Sequence, residues 1–314
     1  MQKNNLHGQI SFENSSLIKF LAMVHIIICH FNYDFPFKEG FQDIILPGNI
    51  SVGIFLFLSA YGLSESESKR PNSILHFLFS RVLRLIIPLL LIVFSSCLIF
   101  TLFHIKEFEF NFYLSQIINN WFVQVILVFY VLFIISFKIS RKRNWRAISI
   151  SILTMLYIFI VSFILKLSST YINAILAFPM GMLYSLYRIE IYNTFNTHKK
   201  LHIIALFLSI ILFIIAFYSP KLFIRHVTHP LLIISILLLV NLKKSIQKIR
   251  FSNKYLNHII IVTGAITYEM YLVHPWIIEY LKLNYITNAS FLIFFILTMV
   301  IAYLLNSIAK KLKF

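Results

Sequence analysis

Charged residues are scarce in this sequence: Asp, Glu, Lys and Arg together make up 12% of its 314 residues. A soluble domain has about 25%. Hydrophobic residues account for 59% and aromatic residues for 17%, and the mean hydropathy is +0.84. Such a chain has too little polar surface to cover a globule in water, so we expect lipid to surround most of it.

Cysteine is also rare, and both residues, Cys29 and Cys97, lie inside apolar runs. We therefore expect neither a structural disulfide nor a bound metal. Pro- or Gly-rich linkers and internal repeats are missing, which predicts one transmembrane domain, residues 15–308, between a polar cytoplasmic segment, 1–14, and a basic cytoplasmic tail, 309–314. The first residues lack the basic start and cleavage site of a signal peptide, so we expect the first apolar run to be retained.

Acidic residues number 11 against 28 lysines and arginines, which gives a net charge of +17. A basic protein can bind nucleic acid, a membrane surface or an acidic substrate. Here the basic residues sit in short clusters between long apolar runs, a pattern that sets membrane topology and can also hold phosphates. We therefore expect membrane lipid, and no nucleic acid, among the partners.

Long apolar stretches dominate the chain, and a transmembrane helix needs roughly 17–25 such residues. Most lysines and arginines fall in alternate connections between them, and basic residues favour the cytoplasmic side, which predicts that both termini are cytoplasmic. The sequence thus predicts an all-α, polytopic bundle of about ten spans, at residues 15–33, 47–64, 83–103, 121–139, 147–165, 171–188, 201–218, 224–242, 258–280 and 287–308.

Seven ionisable residues lie inside these stretches, where Arg, Lys or Asp costs about 2.5–3.5 kcal/mol. Since such residues usually face a bundle interior or a wet cavity, they are the first candidates for function: Lys19, His25, His30, Arg81, Arg84, Glu269 and His274.

Lys19 and His30 share one face of the first helix, roughly 16 Å apart along its axis. They would place a cation and a titratable base along one internal channel. Alternatively, Lys19 extends to the inner interface and His30 lies among the outer headgroups. His25 points about 140° away from His30, so we interpret it as a packing or hydrogen-bonding residue.

Arg81 and Arg84 lie one turn apart at the start of the third span. They would clamp an anionic cytoplasmic ligand, since guanidinium matches phosphate bidentately, or they would only anchor the helix at the membrane surface. Glu269 lies inside the ninth span. A buried carboxylate favours a cationic partner, here Lys19 or Arg84, and the alternative is a structural ion pair that fixes helix register.

Tyr271 and His274 are one turn apart in the ninth span and share a face. In the expected topology this span runs from inside to outside, so His274 lies in its outer half, as His30 does in the first span. Two histidines at similar depth on different helices predict a polar site near the outer leaflet.

Four motifs follow one another along the chain. Residues 19–31 contain Lys, ten residues and His; residues 52–63 read VGIFLFLSAYGL; residues 80–88 contain R-x-x-R and then Pro; residues 267–275 read TYEMYLVHP. In this order they resemble the acyltransferase-3 family of integral-membrane acyltransferases, whose patterns are R/K-x10-H, V-D-L-F-F-V-L-S-G-F, R-x-x-R-…-P and S-Y-x-x-Y-L-x-H-P. The resemblance spans about residues 15–308.

Three residues depart from the family pattern. Gly53 stands where many members have Asp, and Ala60 stands where Gly is usual. Lys19 replaces the commoner Arg, which keeps the charge but loses the bidentate fork. Some members carry a fused extracellular hydrolase-like domain that this chain lacks, so the resemblance implies that it acts alone or with a separate extracytoplasmic transferase.

The resemblance implies transfer of an acyl group, commonly acetyl, from acyl-CoA (acetyl-CoA) to a hydroxyl of a cell-envelope or extracellular carbohydrate, free or lipid-linked. It also implies a multi-pass protein of the bacterial plasma (inner) membrane, with acyl-CoA as co-substrate and no bound cofactor. The implied catalytic residues are His30, Lys19, Glu269 and His274, and the implied donor-binding residues are Arg81, Arg84, Ser59, Tyr268 and Tyr271.

Histidine suits general-base work near neutral pH because its ordinary pKa is about 6.5. His30 would deprotonate the sugar hydroxyl or carry the acyl group covalently. Ser59 and Tyr268 would stabilise the developing oxyanion, and Glu269 and His274 would order the site.

A transporter or flippase of a lipid-linked sugar is the alternative, because intramembrane charges and Gly-interrupted spans also suit transport. A third possibility is a structural or regulatory membrane component, in which His30 and His274 are replaceable. Turnover of acyl-CoA by the purified protein separates the first two functions, since a flippase should show none.

Overall fold

The computed structural model describes residues 9–35, 48–71, 73–139, 142–172, 174–218, 254–283 and 290–312. Over these residues the regular secondary structure is helical, which confirms the predicted all-α class. The α-helices, in chain order, are α1 Phe12–Asp34, α2 Asn49–Lys69, α3 Ile74–Leu102, α4 Phe110–Ile118, α5 Trp121–Ile134, α6 Arg143–Phe159, α7 Ala177–Thr197, α8 Lys199–Tyr218, α9 Lys254–Ala265, α10 Thr267–Leu283 and α11 Phe291–Lys311.

Short irregular turns extend two of these helices. A π-helical turn, Ile135–Ile139, continues α5, and another, Ile160–Ile164, continues α6. A 3-10 turn, Ser169–Tyr171, precedes α7. Ser11 and Ser73 cap the starts of α1 and α3 by accepting a hydrogen bond from the backbone N–H three residues later, which satisfies one of the free donors of the first turn.

Among the described residues, five continuous helical stretches are long and apolar enough to cross a membrane: Phe12–Asp34, Ile74–Leu102, Phe110–Lys138, Arg143–Ile164 and Phe291–Lys311. The pair α9 and α10 passes the same test together. The protein is therefore a multi-pass membrane protein. The count of about ten spans and the cytoplasmic termini remain predictions, and the expected span 224–242 lies outside the described residues.

The expected ninth span is one stretch in the sequence but two helices in the structure. α9 and α10 meet at Ile266 with an angle of 78° between them. Gly264, next to the bend, lets α9 pack closely on α1, because a Cβ there would lie 2.5 Å from the carbonyl oxygen of Ser16. The break therefore gives α10, which begins at Thr267, a direction of its own.

Small residues also bring α2 and α7 together. Gly181 of α7 lies directly against the backbone of Phe57, where a Cβ would collide with its carbonyl oxygen, and Ala60 is fully buried beside it. Without a hydrophobic force between helices in lipid, such close backbone approach is a main source of helix association.

Two acidic residues at the end of α2 connect it to neighbouring helices. Glu65 accepts hydrogen bonds from Ser185 at 2.8 Å and from Arg188 at 2.5 Å, both on α7. Glu67 is buried and forms an ion pair with Lys138, after α5, at 2.6 Å. Removing one partner of a buried ion pair typically costs about 3–5 kcal/mol, so these pairs fix the position of α2.

Candidate functional site

A polar cavity of about 370 Å³ lies where α1, α2, α3, α5 and the α9–α10 break meet. Six of the nine site residues predicted from the sequence line it: Lys19, Ser59, Arg81, Arg84, Tyr268 and Glu269. They come from the first half of α1, the second half of α2, the first part of α3 and the first turn of α10. Helices that alternate in direction bring these segments to the same end of the bundle.

Three cations face this cavity. Lys19, Arg81 and Arg84 all line it, and within the described part of the chain no carboxylate lies within 4.0 Å of any of them. Their charges repel one another, since Arg84 acts on both Lys19 and Arg81. Arg81 packs over the ring of Phe77 at 5.6 Å. Such a cluster favours an anionic ligand.

The carboxylate of Glu269 has a neutral partner. Glu269 is 6% exposed, and its Oε1 accepts a hydrogen bond of 2.6 Å from the side-chain amide of Asn306 on α11. Among the described residues Glu269 therefore forms no ion pair with Lys19 or Arg84, and the prediction of a cationic partner is wrong. The sequence signal for Asn306 was a lone amide in an apolar span, and sequence reasoning missed it.

The hydroxyl of Tyr268 is hydrogen-bonded to the backbone of α3. Its hydroxyl donates to the carbonyl of Leu85 at 2.8 Å. Pro88 lies inside α3, where its ring removes one helical N–H and crowds the carbonyl four residues earlier. The tyrosine thus supports α3 beside its proline, and its one hydroxyl proton is already donated. Ser59, the other predicted oxyanion donor, lines the cavity and hydrogen-bonds to the hydroxyl of Tyr130.

His30, Tyr271 and His274 form a second group outside the cavity lining. The rings of His30 and His274 are in edge contact with their centroids 4.9 Å apart, and the ring of Tyr271 lies 5.8 Å from that of His274. The predicted approach of two histidines from different helices is confirmed. The structure does not place His30 in one cavity with Lys19, and Tyr271 contacts the histidines rather than the cation cluster.

The two histidines differ in their surroundings. His274 is 1% exposed, whereas the side chain of His30 lies exposed at the protein surface. Nδ1 of His274 lies 3.1 Å from the carbonyl of Met270. A carbonyl only accepts, so Nδ1 carries the hydrogen in the neutral ring, and Nε2 presents its lone pair. That Nε2 is buried and has no hydrogen-bond partner among the described residues.

An aromatic side chain connects the two groups. Phe122 of α5 lines the polar cavity, and its ring lies 5.0 Å from the ring of Tyr271. The contacts therefore run from the cavity through Phe122, Tyr271 and His274 to His30. Sequence reasoning missed Phe122, because one aromatic residue in an apolar span gives no signal of its own.

His25 is confirmed as a hydrogen-bonding residue. Its Nδ1 lies 2.7 Å from the hydroxyl of Ser51, and its Nε2 lies 3.5 Å from the thiol of Cys29. The contact with Ser51 holds α1 against α2, whereas the contact with Cys29 lies within α1.

Comparison with known protein families matches residues 13–307 to the family described as "Acyltransferase domain". A search of curated proteins and a search of solved structures each found no match. The family match covers nearly the whole chain, including both residue groups described above. The chain therefore belongs to the acyltransferase-3 family of membrane acyltransferases.

Proposed function

We propose that this protein transfers an acyl group, acetyl in the simplest case, from cytoplasmic acyl-CoA to a hydroxyl of a cell-envelope carbohydrate. The observation that carries the proposal is the cavity with three cations that lack carboxylate partners among the described residues. Acyl-CoA is the kind of donor that such a cavity suits, because it combines phosphates with a long flexible arm that ends in a thioester.

The donor's phosphates would bind at Lys19, Arg81 and Arg84. Guanidinium groups hold phosphate oxygens in pairs of charge-assisted hydrogen bonds. The start of α10 adds to this field, since Thr267, Tyr268 and Glu269 line the same cavity and the first N–H groups of a helix favour anions. The positive-inside expectation puts this end of the bundle on the cytoplasmic side, where acyl-CoA is made.

The thioester must then reach His30, which lies roughly 16 Å from Lys19 along the axis of α1. The side chains in between are Phe122, Tyr271 and His274, which contact one another in sequence. An extended arm that passes along these rings would bring the thioester to the exposed imidazole of His30, where an acceptor from the opposite side has access.

His30 would act as the general base in direct transfer. One ring nitrogen takes the proton from the acceptor hydroxyl, and the hydroxyl oxygen attacks the thioester carbonyl carbon. The carbon–sulfur bond breaks, and the thiolate of coenzyme A leaves and takes the proton from the imidazolium. The ring of His274 is in contact with that of His30, and its Nε2 lone pair would stabilise the charged His30 ring. Transfer through an acylated His30 is the alternative route.

Glu269 and Ser59 would support the donor end. Glu269, which is held by Asn306, would lower the net positive charge of the cavity without reacting itself. Ser59 is a cavity hydroxyl and would donate to the carbonyl oxygen as negative charge develops there.

The location and the acceptor are further parts of this proposal. In a bacterial inner membrane the protein would meet acyl-CoA on the cytoplasmic side and envelope glycan on the opposite side. The acceptor would be a carbohydrate hydroxyl, free or lipid-linked, and a separate extracytoplasmic transferase would complete the pathway if this chain does not reach the final glycan itself.

The bent helix pair is a reason to retain transport as a second candidate. Helices broken inside the membrane line the binding sites of many transporters, and α9 and α10 meet at 78°. A flippase of a lipid-linked sugar would use the same cavity without consuming acyl-CoA.

The test is release of free coenzyme A from acetyl-CoA by the purified full chain in lipid nanodiscs that are supplied with an extract of cell-envelope glycans as the acceptor. We expect turnover by the wild type, loss of turnover with His30→Ala, and a raised KM with Arg84→Gln. Turnover that persists in His30→Ala but disappears in Lys19→Ala contradicts the assignment of His30. No turnover with any acyl-CoA, together with movement of a lipid-linked sugar across vesicles, favours the flippase.

A further inference from the structure

A second cavity of about 460 Å³ forms an open groove between α3 and α4. Its volume falls in the range of about 300–1,000 Å³ that is typical of ligand sites. Residues of both helices line it, among them Leu90, Phe94, Cys97, Phe110, Tyr113 and Leu114.

The groove offers almost no polar contact. Its walls are apolar apart from the Cys97 thiol, while Phe94 and Phe110 at its edges are 70% and 63% exposed. The Tyr113 hydroxyl is buried in the floor. A water-soluble ligand would lose its hydrogen bonds here, and that loss is costly at membrane depth. A hydrocarbon chain has no hydrogen bonds to lose, and it gains close contacts along both helices.

The floor of this groove adjoins the helix that carries His274. The ring of Tyr113 stacks on that of Trp276 with centroids 6.1 Å apart and planes within 7° of each other. Phe112 also contacts Trp276, at 6.2 Å. Trp276 follows His274 by two residues on α10, about 3 Å further along the helix axis and on another face, so the groove adjoins the helix that carries the histidine group.

The loop that closes one end of the groove, residues 103–109, is acidic. Lys106 lies 3.7 Å from Glu279 and packs over the ring of Phe112 at 3.4 Å. Glu107 and Glu109 of the same loop are exposed. The loop and Glu279 together carry three carboxylates against one ammonium, and this excess of negative charge repels an anionic lipid headgroup. They suit the hydroxyls of a neutral sugar, because a carboxylate is a strong hydrogen-bond acceptor.

We propose that this groove binds the hydrocarbon chain of a neutral glycolipid, and that this glycolipid is the acyl acceptor. The proposal rests on the acyltransferase function proposed above and names its acceptor class. The lipid tail lies between α3 and α4, the sugar lies at the acidic loop, and one of its hydroxyls reaches His30.

The test uses a dodecyl glucoside with a diazirine at the end of its chain as the probe. The full chain in phosphatidylcholine nanodiscs is irradiated with this probe, and the labelled peptides are mapped by mass spectrometry. We expect labelling at residues 90–97 and 110–117 that excess dodecyl glucoside removes and excess phosphatidylglycerol leaves. Leu114→Trp and Leu90→Trp, which fill the groove, should each lower this labelling about tenfold or more.

Leu304→Trp is the matched control, because Leu304 of α11 is an exposed leucine outside the groove. Release of coenzyme A is measured on the same preparations, so that a protein without acyltransferase activity is recognised independently of the groove. Labelling spread evenly over the exposed helices, or competed equally by phosphatidylglycerol, overturns the proposal. If the groove-filling variants instead impair turnover of long-chain acyl-CoA while dodecyl glucoside labelling is unchanged, the groove holds the donor's chain and the proposal is wrong.

Discussion

Gly264→Ala is a small change with a large expected effect on the cation cavity. A Cβ at this position would lie 2.5 Å from the carbonyl oxygen of Ser16 and 2.7 Å from its Cα. Ordinary van der Waals contact begins at 3.4 Å, so α1 and α9 must separate by about 0.9 Å. The obstacle is backbone, which does not rotate away as a long side chain does.

Moving α1 away from α9 alters the site, because Ser16 and Gly264 both line the cavity. Lys19 lies one turn after Ser16 on α1, and Glu269 lies one turn after the α9–α10 break. A shift of about 1 Å between catalytic groups can cost about 100-fold in rate, and overpacking typically costs about 1–3 kcal/mol of stability. We therefore expect kcat/KM for acetyl-CoA to fall by about 100-fold.

Gly62→Ala is the control for this change. Gly62 also lines the cavity, but a Cβ there meets no atom within 4 Å, and alanine favours a helix over glycine by about 0.5–1 kcal/mol. The assay is release of coenzyme A by each variant in nanodiscs, at matched amounts of monodisperse protein. Wild-type kcat/KM in Gly264→Ala, or an equal loss in both variants, would refute the argument that this contact sets the site geometry.

Three further predictions concern single contacts. Arg84→Gln should raise the KM for acetyl-CoA about tenfold or more, by losing a charged phosphate contact, whereas Arg143→Gln, in an exposed ion pair, should leave it unchanged. Asn306→Leu removes the hydrogen bond to a buried carboxylate and should lower the free energy of unfolding by about 1.5–3 kcal/mol, as measured by chemical denaturation in micelles. His274→Phe keeps a ring beside His30 but removes its lone pair, so kcat should fall while the KM for acetyl-CoA stays within about threefold.

The sequence predicted the composition of the cavity well for a physical reason. An ionisable residue in an apolar stretch is costly and must face a polar interior, so Lys19, Arg81, Arg84 and Glu269 could be selected before their positions were known. The family motifs added Ser59 and Tyr268, which carry no charge and would not have been selected by that argument alone.

Other features depend on tertiary contacts that no local pattern encodes. Residues 258–280 were predicted as one span, and the break at Ile266 was not predicted. The close packing of Gly264 on Ser16 is likewise a contact between helices that hydropathy does not report. The partner of Glu269 was expected to be a cation, but the structure brings Asn306 to it from another helix. The cavity that Lys19 lines does not include His30; Phe122 lines it and contacts Tyr271, and this arrangement of α5 and α10 is a tertiary contact.

The most direct test of the account is mass spectrometry of cell-envelope glycans from a deletion strain of the source organism, complemented with the wild type or with His30→Ala. We expect an ester-linked acyl mass to disappear on deletion and to return only with the wild-type protein, and the size of that mass identifies the acyl group. Unchanged glycan acylation in the deletion strain, with accumulation of an undecorated lipid-linked sugar, would contradict the acyltransferase function and support transport.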